Sequence, residues 1–221
     1  MIAVTEARPW LAVDLGQPMQ VLSWALNCPG FTQARHVLWR EVRDADLPEG
    51  FDARVWLEGE LAARGMGGAV GFLTSRDVRR FVQAGAQVGG VRADCVATVG
   101  LSNAERVGHR IDRSRGSWGT INIALATDVA LSQAGLIEAL SIAAQARTAA
   151  IIDAGIELPT GRATGTGTDC LAVAAPAGAV DHAGLHTAVG EALGAAVYRA
   201  TLDGARAWLV DSREWGLVHG A

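Results

Sequence analysis

"RATGTGTDCLAVAA", residues 162–175, decides the fold. Threonine and glycine alternate into Asp169, and an apolar run follows. Such a stretch suits a phosphate cradle, a turn or part of a hydrolytic site, and each belongs to a different architecture. A Walker loop needs a lysine after its last glycine to reach the phosphates, and this chain contains no lysine. The dinucleotide fingerprint sets three glycines between a strand and the helix it feeds. Gly165 and Gly167 instead follow a helical pattern and lead into a strand. What remains is flexible backbone that presents consecutive N–H groups, with the hydroxyls of Thr164, Thr166 and Thr168 beside it and Asp169 at the strand mouth. Such a loop can polarise an amide oxygen. The bland alternative is a glycine-rich connection whose threonines are solvated.

Working outward, "WLAVDL" (10–15), "MQVLSWAL" (19–26) and "ARHVLWREV" (34–42) read as strands of a meander, because their connections are too short for parallel crossovers. Residues 52–64 read as a helix capped by Asp52 and stopped by Gly65. "GAVGFLTS" (68–75) reads as a strand, "RDVRRFVQAGAQ" as a short helix or turn, and "ADCVATVGL" (93–101) as a strand. In "GTINIALATDV" (119–129), Ile121, Ile123 and Leu125 share one face and Asn122 points the other way. Ser132 to Ala154 follows helical spacing, with Ser132 as cap and Gly155 as stop, and Val189, Leu193, Ala196, Val197 and Ala200 stripe a final helix over about 187–203. Strands come early and helices late. The expected class is α/β of the α+β type: a mixed, largely antiparallel sheet with helices packed against it, in a single domain.

Composition narrows the functions. Half of the 221 residues are hydrophobic and 19% are charged, enough apolar surface for one sizeable core. The formal net charge is −4 with no block of like charge, so neither nucleic acid nor an anionic membrane is favoured as a partner. All 19 basic residues are arginines, which excludes Schiff-base chemistry and keeps bidentate recognition of anions and amide oxygens. Cys28, Cys95 and Cys170 are too scattered for a disulfide framework and read as reduced. The N-terminus carries Glu6, Arg8 and Pro9 where a signal peptide needs an apolar run, and no apolar stretch of about 18 residues is evident. A cytoplasmic protein is expected.

Asp153 sits at a helix C-terminus, where the macrodipole disfavours a carboxylate; it is either a solvated end residue or an acid, base or ligand anchor. His182 and His186 have the four-residue spacing of a helical metal pair, but Gly184 weakens the helix and no third ligand follows, so no metal site is assigned. His186 at the start of the last helix is better placed to be held neutral as a base or hydrogen-bond partner. Asn103, Glu105 and Arg106 follow a strand end in the most polar part of the chain, where arginine can bind an oxyanion or an amide arm. Asn122 is either a satisfied buried amide or an oxyanion donor. Neither a GxSxG elbow nor a CGxC nucleophile segment occurs.

Taken in order, "VLSWALNCPGFTQARHVLWREV", "GFLTSRDV", "VGLSNAERVG", "GTINIALATDVALS", "EALSIAAQARTAAIIDAGI", "ATGTGTDCLAVAAP" and "AGLHTAVGEAL" resemble the adenosylcobinamide amidohydrolase (CbiZ) family over about residues 19–200. Trp24, Cys28 and Pro29, and the neighbours of Thr74, depart from the family pattern. The resemblance implies one amidohydrolase-like domain over 1–221 that splits the amide between aminopropanol and a propionate arm of adenosylcobinamide. The corrinoid is then substrate, and no cofactor is implied. It further implies Asp169 or His186 as general base and Asn122 with the 165–168 backbone as oxyanion donors. Asn103 and Arg106 would bind corrin side-chain amides, with Thr120, Asp153, Thr164, Gly165, Thr166, Gly167 and Thr168 completing the substrate wall. A carrier that binds the macrocycle through tryptophans such as Trp24 and Trp118, without chemistry, is the main rival. An amidohydrolase of another substrate class is the second.

Overall fold

Long strands set the architecture. In the computed structural model, which describes residues 2–43, 46–47, 50–111 and 119–214, β2 (Trp10–Ser23) is one continuous strand. The two early strands expected at 10–15 and 19–26 are therefore a single element. Its register against β3 (Gly30–Glu41) shifts between Asp14 and Met19, around Gly16 at φ 81°. That left-handed glycine supplies a bulge and a bend within the strand. The bend lets β2 pair with β1 (Ala3–Ala7) along its first half and with β12 (Cys170–Ala175) along its second.

Among the described residues, four further strands complete the sheet. β4 (Val70–Thr74) runs parallel to β3, and β8 (Ile121–Thr127) runs parallel to β12. β6 (Val91–Val99) is antiparallel to β8, and β5 (Val82–Val88) closes the far edge against it. The sheet reads β4-β3-β2-β12-β8-β6-β5 with β1 beside β2. This is the mixed, largely antiparallel sheet expected. The segment expected to be a short helix or turn, 76–87, holds only a 3-10 turn at Val78–Arg80, and Val82 onward is edge strand, where β-branched residues suit the ladder.

Among the described residues, three helices pack on the sheet. α1 (Ala53–Ala63) is capped as expected: Asp52 accepts from the Arg54 and Val55 N–H groups, and Gly65 follows at φ 70°. α2 (Gln133–Ala154) begins where the Ser132 hydroxyl accepts from Gly135 N–H and ends at left-handed Gly155. α3 (Ala188–Glu214) extends well past the expected end, because its buried face continues through Ala205 and Trp208. By length and composition α2 would span a bilayer, contrary to the expectation of no such stretch. Here Leu136, Ala139, Ile142, Ala143 and Ile151 are buried in the core it shares with α3 and the sheet.

The two faces of β8 divide the core. Ile121, Ile123 and Leu125 join the helix-side cluster, whereas Ala124 and Ala126 face the β2–β3–β4 half of the sheet with Trp39, Phe72 and Val96. In a flat sheet β4 would lie about 19 Å from β8, four spacings of about 4.8 Å. Yet the Asn122 side chain on β8 donates to the Leu73 carbonyl on β4 at 2.7 Å. The sheet folds over itself, and the mouth of that fold is where the polar segments collect.

Candidate functional site

The Thr/Gly loop is built by clips. Gly165–Thr166 (β11) pairs antiparallel with Ala104–Glu105 (β7), which joins the Asn103–Arg106 segment to the loop. Thr164 N–H donates to the Glu105 carbonyl at 2.8 Å, and the Thr164 hydroxyl accepts from Val107 N–H at 2.8 Å. Arg106 donates to the Arg162 carbonyl at 3.0 Å. The Thr168 hydroxyl donates to the Gly119 carbonyl at 2.7 Å, and Asn103 Nδ2 reaches Thr168 Oγ1 at 3.4 Å. The threonine hydroxyls thus brace the loop through hydrogen bonds, while Thr168 itself stays exposed.

Asp169 is the hub. Its carboxylate accepts from Thr166 N–H, from the Thr166 hydroxyl and from Ile121 N–H, and it pairs with the Arg147 guanidinium of α2. Four donors meet the roughly four lone-pair positions a carboxylate offers. The side chain is only 6% exposed. This environment holds the carboxylate in place with its lone pairs already engaged. Arg147 was not anticipated. Its signal was nonetheless present, since it is the one charged residue of α2 between Glu138 and Asp153. A buried guanidinium in an apolar stretch needs an anion.

Beside the hub lies a cavity of about 660 Å³. Gly119, Thr120 and Asn122 come to it from the start of β8, and Gly167, Thr168, Asp169 and Cys170 from the loop. The β2–β3 hairpin contributes Trp24 and Leu26, β4 and its end contribute Gly71 to Ser75, and Val42, Arg43 and Leu47 complete the wall. Its polar end is concentrated where β8 and the loop meet. Thr120 Oγ1 lies 2.8 Å from the Thr168 carbonyl and 3.0 Å from Asn122 Oδ1. One amide hydrogen of Asn122 goes to Leu73 O, and the second has no partner among the described residues. At the other end Trp24, Leu26, Val42 and Leu47 make an apolar rim.

Among the described lining residues, the ionisable groups are Arg43, Asp169 and Cys170. Burial pushes the Cys170 thiol up to about 12, and the neighbouring Cys28 thiol is raised for the same reason. Neither is an activated thiolate at neutral pH.

The structure thus brings together Asn122, Thr120, Asp169, Gly167 and Thr168 at the cavity wall, with Thr164, Gly165, Thr166, Asn103 and Arg106 behind or beside it. Two candidates stand apart. Asp153 is exposed and accepts from the Tyr198 hydroxyl of α3 at 2.7 Å, which offsets the unfavourable helix-end position by a helix–helix bond and raises the Tyr198 pKa. His186 is exposed ahead of α3, and Ala188 packs by Gly89 at the turn joining β5 to β6. The cavity lies at the opposite end of β6, about 25 Å away by strand rise. His182 and His186 lie in an irregular segment, so the helical pair spacing is not realised. Trp118 falls outside the described residues.

Residues 2–213 match the adenosylcobinamide amidohydrolase (CbiZ) family. No functionally curated protein matches the chain in sequence. Among solved structures, a Burkholderia sp. beta-aminopeptidase is similar at 16% identity and a TM-score of 0.47, over 94% of this chain and 86% of that one. The L-aminopeptidase D-Ala-esterase/amidase of Ochrobactrum anthropi, described as a variant of the Ntn hydrolase fold, is similar at 12% identity and a TM-score of 0.42, over 99% and 91% of the two chains.

Proposed function

The chain belongs to the adenosylcobinamide amidohydrolase family, and we propose from that premise that it hydrolyses the amide joining aminopropanol to a propionate arm of adenosylcobinamide. Water adds across the C–N bond; the acyl carbon leaves as the carboxyl group of adenosylcobyric acid and the nitrogen as the primary amine of aminopropanol. One observation carries this reading. The segments 24–26, 71–75, 119–122 and 167–170, distant in sequence, line one cavity with a polar end and an apolar rim.

The residues divide the work by what they have free. Oxyanion stabilisation needs a fixed donor whose own environment does not move, and the unpartnered N–H of Asn122 is such a donor because its other N–H is held by the Leu73 carbonyl and the side chain is buried. The hydroxyls of Thr120 and Thr168 sit at the same end, within reach of an amide seated there. Asp169 keeps the loop and the start of β8 in register through its four donors and acts through them, not as the proton acceptor. Asn103 and Arg106 hold the outer side of the loop. Arg106, on the surface, retains donors for a side-chain amide of the ring.

The test is direct. Purified protein incubated with adenosylcobinamide is expected to release aminopropanol and give adenosylcobyric acid by mass spectrometry. Saturable corrinoid binding with no product would make the protein a carrier, and absence of both binding and product would remove the corrinoid altogether.

A further inference from the structure

The cavity is sized for an arm, not for a macrocycle. A space of about 660 Å³ is typical for a drug-sized group. A corrin ring with its amide arms and upper nucleoside is far larger, so on the reading above most of the substrate stays outside the mouth. Something at the mouth must then hold it.

Trp24 and Leu26 are built for that task. They project from the short connection between β2 and β3, line the cavity and remain 44% and 45% exposed. Large apolar side chains left half in water beside a cavity mark a contact surface when their positions are fixed. Trp24 is fixed: its indole N–H donates to the Asp169 main-chain carbonyl at 2.7 Å. The residue whose carboxylate organises the loop thus also orients the exposed ring. A pre-set aromatic loses little freedom on binding, which is where much of the cost of association otherwise lies.

We propose that Trp24, with Leu26 beside it, is the platform against which the corrin ring lies while one amide arm enters the cavity, and that this contact selects macrocyclic over simple amides. The proposal rests on the corrinoid reading. A flat, largely apolar ring edged by polar amides matches an apolar step bordered by Arg43 and the Thr/Gly loop.

The experiment separates this idea from the reaction itself by using adenosylcobyric acid, the ring without aminopropanol, as a binding probe in equilibrium dialysis. Native protein, Trp24→Ala and Trp24→Phe are compared, each first checked for a native thermal transition. The platform predicts that Trp24→Ala binds roughly tenfold or more weakly and that Trp24→Phe stays within about threefold of the native affinity. With adenosylcobinamide as substrate, KM rises more than kcat falls in Trp24→Ala. Equal weakening in both variants would show that the indole N–H braces the loop, and would overturn the platform. Unchanged affinity in Trp24→Ala would overturn it as well. Failure of the native protein to hydrolyse adenosylcobinamide, with the binding pattern intact, would sink the reaction and keep the platform.

Discussion

Replacing Asp169 by asparagine separates two roles that a carboxylate at this position can play. The native side chain receives four donors, from Thr166 twice, from Ile121 and from Arg147. An asparagine offers one carbonyl oxygen and brings its own N–H groups, so at least two of those donors lose their acceptor. One is the Arg147 guanidinium, 16% exposed, which would keep its charge without a partner. Breaking a buried pair on one side costs about 3–5 kcal/mol. For a chain of this length that is a fall in Tm of about 6–20 °C. Urea unfolding at neutral pH is the assay, with m compared so that a change in the denatured state is recognised. Removing the orphaned charge as well, in Asp169→Asn with Arg147→Met, should recover part of the loss and give a favourable coupling energy. A catalytic base would behave differently: turnover would drop by roughly 10²–10⁴ while stability stayed near native. If Asp169→Asn unfolds within about 1 kcal/mol of the native protein and loses turnover on that scale, the anchoring argument is wrong.

The two glycines of the loop should diverge. A methyl on Gly167 meets nothing nearer than Asn103 Nδ2 at 4.0 Å, so Gly167→Ala should keep stability within about 0.5 kcal/mol and raise KM severalfold. A methyl on Gly165 would collide with the Arg147 guanidinium and the Asp169 carboxylate, so Gly165→Ala should lower stability by about 1–3 kcal/mol and lower activity with it. With its thiol near 12, Cys170 carries a thiolate fraction on the order of 10⁻⁴ at pH 8, so iodoacetamide should leave it unmodified in the native protein and label it in denaturant. Rapid native labelling would contradict the burial argument. Hydrogen bonds from Arg35 and Arg79 hold Asp14 and Asp77 at about 2, below the ordinary 3.8. Their stabilisation is therefore complete above about pH 4 and lost as pH falls toward 2. Arg35→Gln should move the Asp14 carboxyl titration upward by NMR and leave Asp77 in place.

Local rules were enough for much of the fold. Asp52, Ser132, Gly65 and Gly155 marked helix ends because capping is a contact between near neighbours in sequence. The alternation of Ile121, Ile123 and Leu125 with Asn122 gave the correct faces of β8, since period two survives wherever a strand divides two packed layers. Around Gly16 the sequence shows two apparent strands where the fold has one bent strand, because Gly and Pro punctuate a bulge in the same way as a loop. The curl of the sheet has no local signature. It rests on contacts such as Asn122 to Leu73, between strands that are four places apart in the sheet.

The same division explains the site. Asn122, Thr120 and the Thr/Gly loop stand out as candidates in the sequence because each residue type carries its chemistry wherever it is placed, and the structure sets them on one cavity wall. His186 satisfied the same criterion and lies at the other end of the sheet, since a useful imidazole is no evidence of a shared cavity. What a carboxylate does depends on how many donors converge on it. For Asp169 the N–H of Ile121 comes from the start of a neighbouring strand and the guanidinium of Arg147 from a helix across the core, and neither is adjacent to it in the chain. The resemblance implies Asp169 or His186 as general base, and a residue type alone says nothing of the donors the fold brings to it. The fold supplies the partners, and on the proposed reading the Asp169 carboxylate holds the loop still while neighbouring groups with unused donors meet the substrate.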